Sequence, residues 1–95
     1  MSDVEVHDNA AGSRVEARVD GELAGFAAYI DRGAVRVFTH TEVDPAYAGQ
    51  GVGGAIARGA LDEARASGLT VVPRCPFIKG WIDKHPDYAD LIAAD

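Results

Sequence analysis

The sequence predicts an α+β fold in which an antiparallel meander of strands precedes a helix, a further strand and a second helix. Residues 1–43 hold short segments of alternating polar and apolar residues, and turn signals separate these segments. A glycine-rich segment, Gly49 to Gly54, then leads into a helical pattern that reaches roughly Ser67. A compact apolar strand and a short amphipathic pattern follow it. The predicted order is therefore three or four strands, helix, strand, helix.

The strands of the meander are predicted from their period and from the turns between them. Asp20-Gly21 and Asp31-Arg32-Gly33 are turn signals of the kind found between paired strands. Alternation with a period of two residues indicates a strand with one buried face. The four predicted segments are Val4 to Val6, Ser13 to Val19, Leu23 to Ile30 and Ala34 to Thr41.

The second half of the chain predicts two helices around one strand. Gly68 ends the first helix, and Pro73 marks the end or the edge of the strand that starts at Leu69, because proline cannot donate to a ladder. The second helix is predicted from Phe77 to Lys84, since the residue before Pro86 disfavours the helical region. The apolar face of the first helix carries Ile56, Ala57, Ala60, Leu61 and Ala64. The inward face of the second is expected to carry Phe77, Ile78, Trp81 and Ile82.

Length, charge and cysteine usage limit the classes of function. A chain of 95 residues is expected to form one domain, residues 1–95. The net charge of −6 and the lack of a Lys/Arg cluster argue against nucleic acid as a partner. No apolar run is long enough to cross a bilayer, which argues against a membrane partner. The start of the chain lacks a secretory signal and Cys75 is the single cysteine, so we expect a cytoplasmic protein. The expected oligomeric state is a monomer or a weak homodimer.

The glycine-rich segment spells GxGxxG with Gly49, Gly51 and Gly54, and several sites use such a segment. A dinucleotide-binding fold wants an acidic residue near the end of the next strand, but that strand ends in Pro73-Arg74-Cys75. A P-loop needs Lys and Ser or Thr after the last glycine, whereas Ala55-Ile56 follows here. Two interpretations remain. Backbone N–H groups at a helix start can form a pyrophosphate site, or the glycines only shape a tight turn.

Four segments between residues 40 and 88 carry a resemblance to a known family. They are His40-Thr41-Glu42-Val43-Asp44-Pro45, Gly49-Gln50-Gly51-Val52-Gly53, Val72-Pro73-Arg74-Cys75-Pro76-Phe77 and His85-Pro86-Asp87-Tyr88. Together they resemble the small, single-domain GCN5-related N-acetyltransferase (GNAT)-like proteins that carry a cysteine after the fifth strand. The resemblance implies the GNAT-like acyl-CoA N-acyltransferase fold, with the sheet splayed between the fourth and fifth strands. It also implies acetyl-CoA (coenzyme A) as cosubstrate.

The resemblance also implies the residues of the cofactor site. Backbone groups of Thr41, Glu42 and Val43 would hydrogen-bond the pantetheine arm. The pyrophosphate would be held by Gly49, Gln50, Gly51, Val52, Gly53 and Gly54, and Pro76 and Phe77 would complete the cofactor site. The chain departs from the family pattern at Ala48, where Arg or Gln usually opens the motif, and at Trp81, where the second helix often supplies a tyrosine. It also lacks the extra N-terminal helices of larger members.

Three residues are candidates for the chemistry of acetyl transfer, which needs a neutral amine, a polarised carbonyl and a protonated leaving thiolate. Glu42 is either a base or a solvated strand-end residue, and His40, two residues away on the same strand face, is either a proton relay or a structural histidine. The resemblance places Cys75 beside the acetyl group. A thiol at a helix start can attack acetyl-CoA to form an acetyl-cysteine, or it can be a small buried side chain. Scattered histidines give no metal-ligand spacing, so no metal is expected.

The sequence thus predicts an acetyl-CoA-dependent N-acetyltransferase whose acceptor is a small-molecule or peptide amine. Residues 1–50 carry four arginines against nine acidic residues, which favours a cationic acceptor. One alternative is a non-catalytic module that binds acetyl-CoA or CoA without turnover. Another is a structural or interaction domain that keeps the fold and binds no ligand.

Overall fold

The computed structural model describes residues 3–93, which form one five-stranded sheet with two helices. The strands are β1 (Val4–Asn9), β2 (Arg14–Val19), β3 (Glu22–Arg32), β4 (Val35–Val43) and β5 (Thr70–Pro73). The helices are α1 (Val52–Ala66) and α2 (Pro76–Asp83), and three short 3-10 segments are Ala10–Gly12, Pro45–Tyr47 and Pro86–Leu91. The predicted domain limits, residues 1 and 95, lie outside the described residues. The α+β prediction and its order of elements are confirmed.

Strands β1 to β4 form the predicted antiparallel meander, in the sheet order β1-β2-β3-β4-β5. Asp20 and Gly21 turn β2 into β3 with φ angles of 52° and 83°, the left-handed pair that suits a two-residue hairpin. Strand β1 is longer than predicted, because the polar run His7–Asn9 also pairs with β2. Its ladder bonds are made by the backbone, so the polar side chains hide the strand from a search for apolar alternation.

Strand β5 lies parallel to β4, with Val35 level with Thr70 and Phe38 level with Pro73. Helix α1 supplies the crossover between these two strands. Its small apolar face is buried on the sheet as predicted, and the buried residues are Val52, Ile56, Ala57, Ala60, Leu61 and Ala64. Pro73 is the last residue of β5, which agrees with the prediction that it marks the strand's end.

The two faces of the sheet differ, and we name them the helix face and the open face. Arg36 of β4 donates to Glu63 of α1, which places Arg36 on the helix face, where α1 packs. Since side chains alternate along a strand, Val35 and Val37 point to the other side. This open face also carries Glu16 and Phe26, which are level with each other on β2 and β3.

One prediction about α2 is wrong. Phe77 was expected to point inward, but it is 43% exposed, whereas Ile78 and Ile82 are buried and Trp81 is partly buried. The Phe77 ring leaves the core side of α2 and lies against Gly53 of α1, while Ile78 next to it is fully buried. Tyr88 donates to Asp62 of α1 at 2.7 Å, which fixes the C-terminal 3-10 segment on this helix.

Candidate active site

Strands β4 and β5 part after Phe38, and this opening is the centre of the candidate site. The parallel ladder ends at the pair Phe38 and Pro73, while β4 continues to Val43. The backbone N–H groups of Arg74 and Cys75 both donate to the Phe38 carbonyl, at 3.1 and 3.0 Å, and so close the ladder. We call the space between residues 39–43 and residues 74–77 the gap. The predicted splay between the fourth and fifth strands is confirmed.

A bulge in β4 begins at the same point. Tyr29 is level with Phe38 and Ala28 with His40, so Thr39 is an extra residue on β4. The extra residue reverses the alternation of side chains. Phe38 and Thr41 therefore both lie on the helix face, although three residues separate them, and His40 lies on the open face.

The edge of β4 beyond the bulge turns backbone groups into the gap. The N–H of Asp44 donates to the carbonyl of Ala24 on β3 at 2.8 Å. In an antiparallel ladder alternate residues face the partner strand, so Thr41 and Val43 turn their N–H and C=O groups the other way. Because β5 has ended by then, these groups face the gap.

The N-terminus of α1 has bare backbone donors. Gly51 is the N-cap residue, no side chain caps the helix, and its first turn holds no acidic residue. The first N–H groups of a helix have no partner within it, which makes them suited to an anion. Gly49 and Gly51 have φ angles of 81° and 77°, and a side chain added at either would meet nothing within 4 Å. Uncapped backbone donors beside two open glycines are features that suit an anion such as a pyrophosphate, and we call this helix start the cradle.

The other cofactor-site residues predicted from the sequence lie at the starts of α1 and α2. Gln50 is exposed, and its N–H donates to the Tyr47 carbonyl at 3.3 Å, so this donor is already used. Pro76 begins α2. A Cβ added at Gly53 would lie 2.8 Å from Cζ of Phe77, so the glycine is what allows this ring to approach α1.

Cys75 lies at the floor of the gap. It is 3% exposed, it is the N-cap residue of α2, and its Sγ–H donates to Oγ1 of Thr41 at 3.2 Å. The structure therefore brings together two predicted site residues from β4 and from the segment after β5. A thiol held between a hydroxyl and a helix start can act as a nucleophile.

His40 and Glu42 lie on the other side of β4, on the open face. The ring of His40 meets the edge of the Phe26 ring, with centroids 6.0 Å apart. Glu42 lines a groove of about 400 Å³ together with Phe26, Asp44 and Pro45. The backbone of β4 separates these two side chains from the Thr41 hydroxyl that contacts Cys75.

Two residues of the site were not predicted from the sequence. Gly25 of β3 allows β4 to approach, since a Cβ at this position would lie 2.6 Å from the Glu42 carbonyl oxygen. Phe26 next to it supports His40. A glycine inside a strand is a signal of close backbone approach, so Gly25 could have been found; the contact of Phe26 depends on the register of β3 and β4.

The three tyrosines all donate their hydroxyls to carboxylates away from the gap. Tyr29 donates to Asp8 at 2.6 Å, and burial together with this bond raises the pKa of Tyr29 to about 12. Hydrogen bonds to carboxylates likewise raise the pKa of Tyr47 and of Tyr88. Their partners are Glu22 for Tyr47 and Asp62 for Tyr88.

The described part of the chain holds neither a metal-binding cluster nor a membrane-spanning helix. Among residues 3–93, no group of three or more His, Cys, Asp or Glu side chains is arranged to hold a metal ion. Neither α1 nor α2, within the same part, has the length and apolar character needed to span a membrane.

Comparison with known proteins identifies the family. The family model described as GCN5-related N-acetyl-transferase matches residues 14–91. A GCN5-like protein of Staphylococcus aureus, solved in solution, is similar over 100% of this chain and 93% of its own, with a TM-score of 0.72 and 22% identity. The ribosomal-protein-alanine N-acetyltransferase of Brucella melitensis biovar Abortus is similar over 86% of this chain and 62% of its own, with a TM-score of 0.59 and 26% identity. No curated protein sequence matches. With this fold, this splayed sheet and a family match over most of its length, the chain belongs to the GCN5-related N-acetyltransferases.

Proposed function

We propose that the protein is an acetyl-CoA-dependent N-acetyltransferase that acts on a small-molecule or peptide amine. The observation that carries the proposal is the gap, because a buried thiol, a hydroxyl and a free backbone edge meet there between two parted strands. Acetyl-CoA supplies the acetyl thioester. The name of the Brucella neighbour, an acetyltransferase of ribosomal-protein alanine, is consistent with a peptide amine as acceptor.

The cofactor is proposed to lie from the α1 N-terminus to the gap. Backbone donors of the segment Gly49 to Gly54 hold the pyrophosphate, and Gln50 contributes only its side chain because its N–H is used. The gap-facing groups of Thr41 and Val43 bond the pantetheine arm, with Glu42 between them. Ala48 offers no charge, so the backbone donors bind the phosphates without help from that position. Pro76 and Phe77 form the opposite wall.

Two routes for the acetyl group are consistent with the position of Cys75. In the covalent route, the Cys75 sulfur bonds the acetyl carbon, the bond from that carbon to the CoA sulfur breaks, and the CoA thiolate takes the thiol proton. The acceptor amine then attacks the acetyl-Cys75 carbonyl, and the Cys75 thiolate takes the amine proton. In the direct route, Cys75 only lines the gap.

His40 and Glu42 are proposed to serve the acceptor. An amine that approaches from the open face meets these side chains before it reaches the gap. Either can accept the amine proton directly or through water, which leaves the amine neutral for attack. The Glu42 carboxyl and the His40 imidazole would thus lie on the open face, from which the acceptor approaches, and the Cys75 thiol on the helix face.

A single glycine substitution tests the cradle. Gly51→Leu is expected to abolish acetyl-CoA binding measured by calorimetric titration, because a leucine disfavours the φ of 77° and its side chain covers the donors. Gly68→Leu is the matched control, since Gly68 has a φ of 73°, equally open surroundings and a place at the other end of α1. Unchanged affinity in Gly51→Leu, or an equal loss in both variants, would contradict the proposed cradle.

Mass spectrometry and product assays separate the routes and the alternative. An acetyl adduct formed with acetyl-CoA and lost in Cys75→Ala supports the covalent route, and amine acetylation without an adduct supports direct transfer. The alternative is a binding module without turnover, favoured because the described tyrosines offer no free phenol to the gap. Saturable acetyl-CoA binding with no CoA release across an amine panel would establish that alternative.

A further inference from the structure

The open face holds a second groove, of about 470 Å³, along β3, β4 and β5. Its floor is aliphatic, and its lining includes Ile30, Val35, Val37 and Val72. Ile30 is 50% exposed, and together with the three valines it forms one apolar surface. No residue of either helix lines the groove. We call it the arginine groove, because the charged residues that line it are Arg32 and Arg74.

The arginines of this groove differ from the other five of the chain. Arg14, Arg18, Arg36 and Arg65 are in ion pairs, and Arg58 lies over the Trp81 ring. Among the described residues, Arg32 and Arg74 make neither an ion pair nor a side-chain hydrogen bond. A protein with a net charge of −6 therefore leaves two guanidinium groups unpaired, and both line one aliphatic groove that holds no carboxylate.

The two arginines stand at opposite ends of the groove. Arg32 is level with Val35, and Val35 is level with Thr70. Arg74 lies four residues beyond Thr70, which is about 13 Å along the strand at about 3.3 Å per residue. The two arginines are also two strands apart, which adds about 10 Å sideways, so an extended peptide of about five residues spans the diagonal of about 16 Å between them.

One end of the groove opens at the gap. The N–H of Arg74 closes the ladder at Phe38, and Arg74 directly precedes Cys75. Thr39, the bulge residue where the gap begins, also lines the groove. A ligand in the groove thus lies beside the point at which the proposed acetyl transfer takes place.

We propose that the arginine groove binds the acidic N-terminal segment of a peptide acceptor, with the free amine at the gap. Carboxylates of the peptide pair with Arg74 and Arg32, and its aliphatic side chains cover the floor. The acceptor role rests on the proposed function, whereas the binding of an acidic peptide does not. The acidic balance of residues 1–50 favours a cationic acceptor, but the charges next to a ligand govern its contact, since screening limits the effect of distant charges.

The test uses a short peptide with a free N-terminus, in which two glutamates flank valines, and a copy with glutamines in their place. Anisotropy of a C-terminal label on the peptide measures binding to the full chain. The glutamate peptide is expected to bind at least about tenfold tighter, and salt should weaken it. Arg32→Gln and Arg74→Gln should each weaken binding about two- to fivefold, as the loss of a pair between exposed charged side chains does. Lys84→Gln, at an exposed residue directly after α2, is the charge-matched control and should leave binding unchanged.

The outcomes separate the groove from the proposed function. Equal binding of both peptides, or no effect of the two arginine substitutions, would overturn the proposal. Equal competition by a free branched carboxylate such as isovalerate would overturn the assignment to a peptide. Specific binding with acetylation of the N-terminal amine supports both parts. Specific binding without acetylation keeps the groove as an acidic-peptide site and overturns the acceptor role.

Discussion

The two halves of β4 belong to one strand but have different neighbours. Residues 35–38 are paired on both sides, with β3 and with β5, and Phe38 is fully buried. Thr39 is the bulge residue, residues 40–43 are paired with β3 alone, and their other edge faces the gap. The change occurs at one carbonyl, that of Phe38, which accepts from both Arg74 and Cys75. One half of the strand therefore contributes to stability, and the other half contributes to the candidate site.

The paired half of β4 is also fixed by charge. Arg36 donates to Asp31 at 2.7 Å and to Glu63 of α1, and its guanidinium lies 3.7 Å from the centroid of the Tyr29 ring. The Arg36 guanidinium holds the pKa of Asp31 below its ordinary value. These contacts join β3, β4 and α1 next to the closed end of the gap. The half formed by residues 39–43 has no such set of ion pairs. Its gap-facing backbone groups are free for a ligand because β5 has already ended.

The largest expected effect contrasts the halves directly. Phe38→Ala should lower the free energy of unfolding by about 3–5 kcal/mol, because it empties a fully buried site against Tyr29. Glu42→Ala, in the open half, should change it by less than about 0.5 kcal/mol, since this side chain is exposed. Urea unfolding of both variants measures the difference. Similar losses would show that the open half is as important for stability as the paired half.

A smaller effect tests how tightly the open half is held against β3. Gly25→Ala should cost about 1–3 kcal/mol, because the new Cβ would lie 2.6 Å from the Glu42 carbonyl oxygen and push β4 away. Gly80→Ala in α2 is the control. It has nothing within 4 Å and should stabilise by about 0.5–1 kcal/mol through helix propensity. Thermal melting of the two variants should give shifts of opposite sign; a stabilised Gly25→Ala would contradict the close approach.

The third effect is confined to acid pH and concerns Glu16 on the open face of the sheet. Hydrogen bonds from Asn9, Arg14 and Arg18 lower the pKa of Glu16 from 4.5 to about 2. A lowered folded-state pKa stabilises the protein fully above the ordinary value, and this contribution is lost as the pH falls from about 4.5 to about 2. Glu16→Gln should therefore flatten the loss of stability in this window, measured by urea unfolding at several pH values. Glu5→Gln, an exposed neighbour on β1, should keep the wild-type slope.

Much of the fold could be predicted because local signals decide it. Alternation, the Asp20-Gly21 turn and the proline at the end of β5 each act within a few residues, and the elements they predicted are present. The polar end of β1 was missed, because backbone pairing with β2 does not depend on apolar side chains. The inward position predicted for Phe77 rests on helical period alone, and period does not show that the ring finds its contact at Gly53 of α1.

The site was predicted less completely than the fold. The glycines at the start of α1 and the cysteine after β5 stand out in the sequence, and the contact between Cys75 and Thr41 joins residues 34 positions apart. The bulge at Thr39 sets which side chains of β4 face Cys75, and a bulge is a property of the β3–β4 register. The prediction that His40 and Glu42 share one face of β4 is correct, but the sequence did not predict that this is the open face.

The sequence by itself determined the order of elements, the helix start with bare donors and the family resemblance, because these depend on neighbouring residues and on backbone preferences. Only the tertiary structure decided where β4 and β5 part, that Thr41 rather than His40 meets the Cys75 thiol, and that Arg32 and Arg74 line one groove without partners. The physical reason is that strand register and the packing of α1 and α2 bring together residues far apart in the chain. The periodicity of a single segment contains no information on strand register or on helix packing.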